Sequence, residues 1–336
     1  MKKVASILAV FVGLGMFGGC KAQKLQGEVG VYMPDGAPAL AFAKLMKEDT
    51  DEDGVSYFVV NPSVVATKVS SDDESKNADF CVLPVTASSK LIGSGDKYKL
   101  LATVTNGNLF LISKDSSVCY TTENLHLLKG KTVGVLQMKN VPGLTLKSIL
   151  KKAEIPYQEL ANGVEKRTDA VNLRSLESVG AIGSVDADCF LIAEPAVSAQ
   201  SGKGFHVVGD LQSLYGADEQ GEFGYPQAVL VAKSSFLGGN ADWIKAFLAR
   251  VKESAEWVLT ASGEEIVSAV SAHLEDKSYT SSLKASLLTP TAIAGCGVRY
   301  ATASESKERV QAYLLRLQAV EVQSVALVGD SFFWSE

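Results

Sequence analysis

The sequence predicts an α/β protein of two lobes, each a mostly parallel sheet flanked by helices, with a helical C-terminal region. Three observations carry this expectation. Strand-like and helix-like segments alternate from Glu28 onward, the order that builds a parallel sheet with helices on both faces. The alternation restarts near Leu128. Two apolar strands also echo each other, ADFCVLP at 78–84 and ADCFLIAEP at 187–195, each with an Ala-Asp start and a turn at proline. Similar lobes would produce that echo, and so would a chance match between two buried strands.

In the first unit GEVGVYM reads as a strand, PDGAP as a loop, and ALAFAKLMKED as an apolar-periodic helix after Pro38. YFVVN is a second strand, PSVVATKVSSDD a helix opened by Pro62, and ADFCVLPV a buried strand. TASSKLIGSG follows as a short helix, and KLLATVT runs into NLFLIS as consecutive strands. In the second unit LKGKTVGVLQ is a strand, and MKNVPGLTLKSILKKAEI is a loop with an amphipathic helix. Leu173 to Ile182 is expected to be a weaker helix, with ADCFLIAEP, GFHVVGDL and YPQAVLVAKSSFL as further strands. From Asn240 to about Val320 the chain is expected to be largely helical. Trp243, Phe247, Val251, Ala255 and Val258 fall at helical spacing there, a stripe that reads as core packing.

The first twenty residues read as a lipoprotein leader. Lys2 and Lys3 form a positive start, Val4 to Phe17 an apolar run too short to span a membrane, and Gly18-Gly19 lead into Cys20. Phe17 departs from the usual Leu three residues before the cysteine. An uncleaved anchor, or an ordinary secretory leader with a chance cysteine, is the alternative. On the lipoprotein reading the Cys20 thiol is lipidated and the chain works outside the cytoplasmic membrane, tethered by acyl chains.

Without the leader about 317 residues remain, enough for two domains with real cores. The net charge of −6 becomes −8 when Lys2 and Lys3 leave, so a nucleic-acid role has no electrostatic support. Cys81, Cys119, Cys189 and Cys296 are too widely spaced for a compact disulfide scaffold or a zinc site. Cys81 and Cys189 sit in apolar runs as small buried hydrophobes. His126, His206 and His273 lie far apart in sequence, which argues against a histidine-rich catalytic or zinc centre.

Ligands of open α/β sheets bind beyond the carboxyl ends of the strands, where loops and helix starts present free N–H groups. Four loops fit. Pro34-Asp35-Gly36-Ala37-Pro38 combines a carboxylate with a glycine that permits close approach, although a plain tight turn accounts for it equally well. In Leu83-Pro84-Val85-Thr86-Ala87-Ser88 the hydroxyls can face a ligand or merely cap the next helix. Gln137-Met138-Lys139-Asn140-Val141-Pro142 is rich in side-chain donors, or is a solvated loop. Ala193-Glu194-Pro195 places one carboxylate at the end of an apolar strand, where a salt bridge to the adjacent helix is the alternative.

The runs VYMPDGAPALAFAKLM, ADFCVLPVTASSKL, TNGNLFLIS, LKGKTVGVLQMKNVPGLTLKSIL, AEPAVSA and YPQAVLVAKSSFL occur in the order seen in ABC-transporter solute-binding proteins. Across nearly the whole mature chain they resemble the branch that binds nitrate, sulfonates and thiamine precursors, which is itself similar to thiamine-pyrimidine synthase. The resemblance implies a periplasmic-binding-protein type II fold with a ligand clamped between the lobes. It implies a leader over 1–20, one lobe over 27–107 and 228–336, and another over 108–227, with crossings near Thr105 to Phe110 and near Gln227 to Val229. It suggests ligand contacts at Asp35, Thr86, Asn108, Asn140, Glu194 and Tyr225, to which the loop readings add Gly36 and Gln137. Carboxylates suit amino or cationic groups, amides suit ring nitrogens and oxygens, and Tyr225 and Tyr32 suit stacking.

The implied protein is a monomeric, cofactor-free receptor that closes on a small-molecule ligand by hinge motion, becoming more compact, and delivers it to ABC permease and ATPase subunits. The membrane is reached through the lipid anchor, and no nucleic acid is involved. Because Asp35 and Glu194 are the carboxylates in the loops and Lys139 their one basic residue, thiamine or a related pyrimidine is the expected ligand. Nitrate or sulfonate anions are the alternative. A pyrimidine-synthase-like enzyme is a further one, but that chemistry leans on histidine and a cysteine-rich motif, and this chain has scattered histidines and no clustered cysteines. A sensor that passes its closed state to a membrane receptor is a third class.

Overall fold

The computed structural model describes residues 28–50, 54–91, 97–216 and 223–335. The expected leader and its Cys20 lie outside these residues. The described chain forms two six-stranded sheets, each flanked by helices. The first contains β1 (Val29–Pro34), β2 (Val55–Val60), β3 (Phe80–Pro84), β4 (Tyr98–Asn106), β11 (Pro226–Lys233) and β12 (Val298–Thr302), in the order β12-β4-β11-β3-β1-β2. The second contains β5 (Leu109–Ser113), β6 (Thr132–Leu136), β7 (Tyr157–Glu159), β8 (Val171–Leu176), β9 (Cys189–Ala193) and β10 (His206–Asp210), in the order β10-β5-β9-β6-β8-β7.

Both sheets are mixed, and they are mixed in the same way. The run β2-β1-β3 is parallel, and β11 and β4 then pair antiparallel. The run β8-β6-β9 is parallel, and β5 and β10 then pair antiparallel. The echoing strands β3 and β9 therefore hold the same place in the two lobes. Their leading aspartates do the same job: Asp79 accepts a hydrogen bond from Gly30 N at 3.3 Å, and Asp188 accepts one from Thr132 N at 2.7 Å. Each carboxylate receives a backbone donor at the start of the neighbouring parallel strand, so the shared Ala-Asp reflects shared topology.

Burial explains the strand assignments. Four consecutive residues are buried in β3 and in β9, as central strands with neighbours on both sides require. The stretch expected as a helix over Leu173 to Ile182 is instead β8, followed by a short 3-10 turn at Val179–Ala181. Leu173 and Leu176 mimic one helical turn, but pairing with β6 and β7 decides the outcome. PSVVATKVSSDD also yields only a 3-10 turn, Val65–Val69, with a second, Glu74–Lys76, just beyond it, since its β-branched residues resist helix formation. The C-terminal region is largely helical, with β12, which pairs with β4, and an irregular stretch over 273–289 that holds one 3-10 turn, Ala285–Leu287.

The aromatic stripe packs as expected, with Trp243 stacked on Phe247 at 5.2 Å and Phe80 against both. Cys81 and Cys189 are buried and unbridged, Cys296 is buried, and Cys119 is exposed. The chain crosses from the first sheet to the second at Gly107-Asn108. Gly297 is required there, because a Cβ on it would stand 1.7 Å from Asn106 O. The chain has rejoined the first sheet by Pro226, which pairs with Asn106 of β4, so Gln227–Val229 lies within β11. One hydrophobic cluster runs through both lobes, joining Leu83, Val85 and Leu100 to Leu111, Val133 and Leu191 and to Tyr313, Leu314 and Leu317. Among the described residues no helix is long and apolar enough to cross a membrane.

Candidate ligand-binding cleft

The site is built from strand ends and the turns that follow them. After β6 the chain turns at Gln137, whose φ of 59° is unusual for a residue with a side chain. It then enters the helix Val141–Lys152. Gly143 makes this entrance possible, since a Cβ there would lie 2.1 Å from Met138 O. Asn140 caps the helix, its Oδ1 accepting from Val141 N at 2.8 Å. The same oxygen accepts from Thr86 Oγ1 at 2.6 Å. Thr86 stands at the start of the helix Val85–Leu91, directly after β3, so this bond links the two lobes.

Beside that link lies a cavity of about 630 Å³. Thr86 and Lys90 line it from one lobe, Gln137, Lys139 and Asn140 from the other, and Glu159 of β7 also lines it. It therefore sits at the carboxyl ends of β6 and β7, facing the helix that follows β3, where α/β sheets hold ligands. Lys90 and Lys139 are exposed and form no ion pair among the described residues. The carboxylate of Glu159 is engaged by the buried Lys147 ammonium at 2.5 Å. The two free cations make the cavity wall net positive.

The expected site residues divide into groups. Thr86, Gln137 and Asn140 meet at the cavity. Asn108 lies at the crossing between the sheets, buried, with Oδ1 lacking a hydrogen-bond partner among the described residues. Asp35 is buried elsewhere, its oxygens accepting from Ser281 Oγ at 2.7 Å, Ser282 N at 2.6 Å and Tyr279 OH at 3.1 Å. Burial and that carboxylate together push the Tyr279 hydroxyl up to about 12. Gly36, at φ 106°, starts the short helix Ala37–Leu40, and a Cβ on it would meet nothing within 4 Å.

Glu194 accepts from Ser198 N at 3.0 Å and Ser198 Oγ at 2.9 Å, so it caps its own helix instead of forming a salt bridge. Burial raises its carboxyl above the usual range, against the lowering effect of those two bonds. Its Cγ also lies 3.0 Å from where a Cβ on Gly295 would stand, which places it against the other lobe. The stacking role given to Tyr225 is corrected. Its ring is fully buried, 5.5 Å from Tyr313 and 5.5 Å from Tyr215, so no face is open to a ligand. Tyr32 likewise stacks on Phe58 at 4.6 Å.

Lys90, Glu159, Ser175 and Ser324 also line the cavity and were missed. Lys90 was legible, one helical turn beyond Thr86 on the same face. Glu159 and Ser175 were hidden because β7 and β8 were not recognised as strands, and Ser324 arrives from the far C-terminus.

No family model matches the chain, and no curated protein sequence matches it. Solved structures do match its fold. An ABC transporter protein from Parabacteroides distasonis gives a TM-score of 0.70 at 18% identity, covering 92% of this chain and 99% of that one. The periplasmic aliphatic sulphonate binding protein SsuA of Escherichia coli gives 0.58 at 14% identity, over 88% of this chain and 94% of that one. The alkanesulfonate-binding protein SsuA of Xanthomonas axonopodis pv. citri, solved with MOPS, gives 0.57 at 14% identity, over 90% and 99%. The chain thus has the two-lobed α/β fold of periplasmic binding proteins.

Proposed function

We propose that this chain is the extracytoplasmic solute-binding component of an ABC uptake transporter, anchored through Cys20 and handing its ligand to permease and ATPase subunits. It binds and releases its solute unchanged, as a monomer. On this reading 27–107 and 228–336 form one lobe and 108–227 the other, save that Pro226 and Gln227 already belong to β11 of the first sheet, with the ligand held between the lobes by Thr86, Gln137, Asn140 and Asn108. The observation that carries the reading is the cavity at the carboxyl ends of β6 and β7, walled by a helix start from each lobe. A preformed cleft of this size with a few convergent polar groups is the usual form of a small-molecule site.

The ligand class we favour is a small organic anion of the sulfonate type. The thiamine reading rested on Asp35 and Glu194, and both carboxylates are taken up within the protein, Asp35 by the distant segment 279–282 and Glu194 by Ser198 of the helix that follows it. Lys90 and Lys139 face the cavity without ion-pair partners among the described residues, and two of the proteins that share the fold bind sulfonates by name. Thermal unfolding of the mature protein with alkanesulfonates, nitrate, thiamine and aminopyrimidines tests this. A sulfonate should raise the midpoint, because a ligand at about 100 times its Kd adds about 2.7 kcal/mol of stability. Stabilisation by thiamine alone would return the assignment to the cationic class, and no response to any of them would remove the ligand assignment.

A further inference from the structure

The helix Ala303–Gln318 belongs to the first lobe by its path, since it leaves β12 through a capping box at Thr302. It packs on β4 and on the helix Val85–Leu91, and also on Val141–Lys152 of the second lobe. Tyr313 is fully buried at that junction and meets Thr145 Oγ1 at 2.6 Å. Thr145 spends its single proton on Val141 O at 2.6 Å, so Tyr313 is the donor of the bond between lobes. Its ring packs on Tyr215 at 5.6 Å and on Tyr225 at 5.5 Å. Arg316 lies 3.8 Å over the Tyr215 ring and reaches Tyr215 O at 3.4 Å. Lys151 reaches across to Ala319 O at 2.7 Å.

We propose that this helix is a strap holding the two lobes together through the protein's own side chains, so that the molecule does not open as a wide clam. Parting the lobes on the strap side would wet three buried tyrosines, each covering roughly 150–250 Å², together with Leu314 and Leu317. On the cavity side, among the described residues, the link is the bond from Thr86 to Asn140, amid the exposed side chains of Lys90, Gln137 and Lys139. On this proposal the movement left to the protein is that of the exposed side chains at the lip, with the strand ends on either side held at one separation. The passage of a solute through the lip rests on the proposed function, but the strap itself does not.

Pulsed electron-spin measurement of one distance tests the strap without any ligand, so a negative result counts against the strap alone. Ser63→Cys and Glu177→Cys, in a Cys119→Ser background, place spin labels on exposed residues just after the carboxyl ends of β2 and β8. Their separation reads the cleft. The otherwise unchanged protein should give one narrow distance, Tyr313→Ala should add a longer-distance population, and Tyr313→Phe, which keeps the ring, should add less. Because Tyr313→Ala removes a buried ring, Arg316→Ala serves as a second, surface-side variant with the same expected direction. A broad or two-peaked distribution in the unmutated protein would overturn the proposal. So would an unchanged distance in both Tyr313→Ala and Arg316→Ala.

Discussion

Asp35 and Glu194 look alike in sequence, each a carboxylate just past a buried strand, yet their neighbours give them structural work. Asp35 ties the segment 279–282 to the end of β1 with three accepted bonds. Asp35→Asn should lower unfolding free energy by roughly 1.5–3 kcal/mol, the usual worth of a hydrogen bond to a charged group, while affinity for the cavity's ligand stays near wild type. Urea unfolding beside calorimetric titration checks this, and lost affinity with stability intact would return Asp35 to the binding site. Glu194 titrates in the opposite sense from most carboxylates because burial raises its folded value. The native state then holds its proton more readily than the unfolded chain. Its contribution is fully present below the ordinary carboxylate range and is lost as pH rises toward the raised value. Glu194→Gln should abolish that loss, and unfolding curves at acidic and neutral pH that shift equally for both proteins would contradict the assignment.

At the scale of elements, the helix Val141–Lys152 and its approach determine the cavity. Gly143 lets the 137–140 turn fold onto the first helical turn. Gly143→Ala should force that turn away from the helix, cost about 1–3 kcal/mol as an overpacked site does, and weaken ligand binding along with stability. Equal binding by a fully folded variant would show that the turn is dispensable. Further along the helix, Lys147 is buried and pairs with Glu159 of the edge strand β7. Glu159→Gln leaves that ammonium with a weaker partner and should lower stability by roughly 1.5–3 kcal/mol. Hydrogen exchange should show faster opening at β7 than at β6, and uniform exchange across the second sheet would argue against a local role for the pair.

Across the whole molecule, two topologically equivalent sheets share one hydrophobic cluster, so the lobes are coupled by packing as well as by the chain crossings. On the proposed function, charge is what separates solutes by class. Lys90 and Lys139 leave the cavity net positive, and Lys139→Glu should weaken an anionic ligand by about tenfold or more, since 1.4 kcal/mol is a factor of ten. The loss should shrink as salt rises, because both ammoniums are exposed to screening. Titrations at low and high ionic strength measure it, and an unchanged affinity would remove Lys139 from the site.

Much of this was written in local sequence. Alternation of apolar runs with periodic helices determined the fold class, the echo of ADFCVLP and ADCFLIAEP marked equivalent strands, and the loops after β3 and β6 supplied Thr86, Gln137 and Asn140. These are short-range signals, carried by residues a few positions apart. Tertiary structure decided the rest. It made a strand of 171–176, because pairing with β6 and β7 outweighed a short helical spacing. It also turned Asp35, Glu194 and Tyr225 inward, because each met partners far away in the chain or on a neighbouring helix. A carboxylate at a strand end is available to a ligand only if nothing else satisfies it, and only the folded arrangement determines what is near enough to do so.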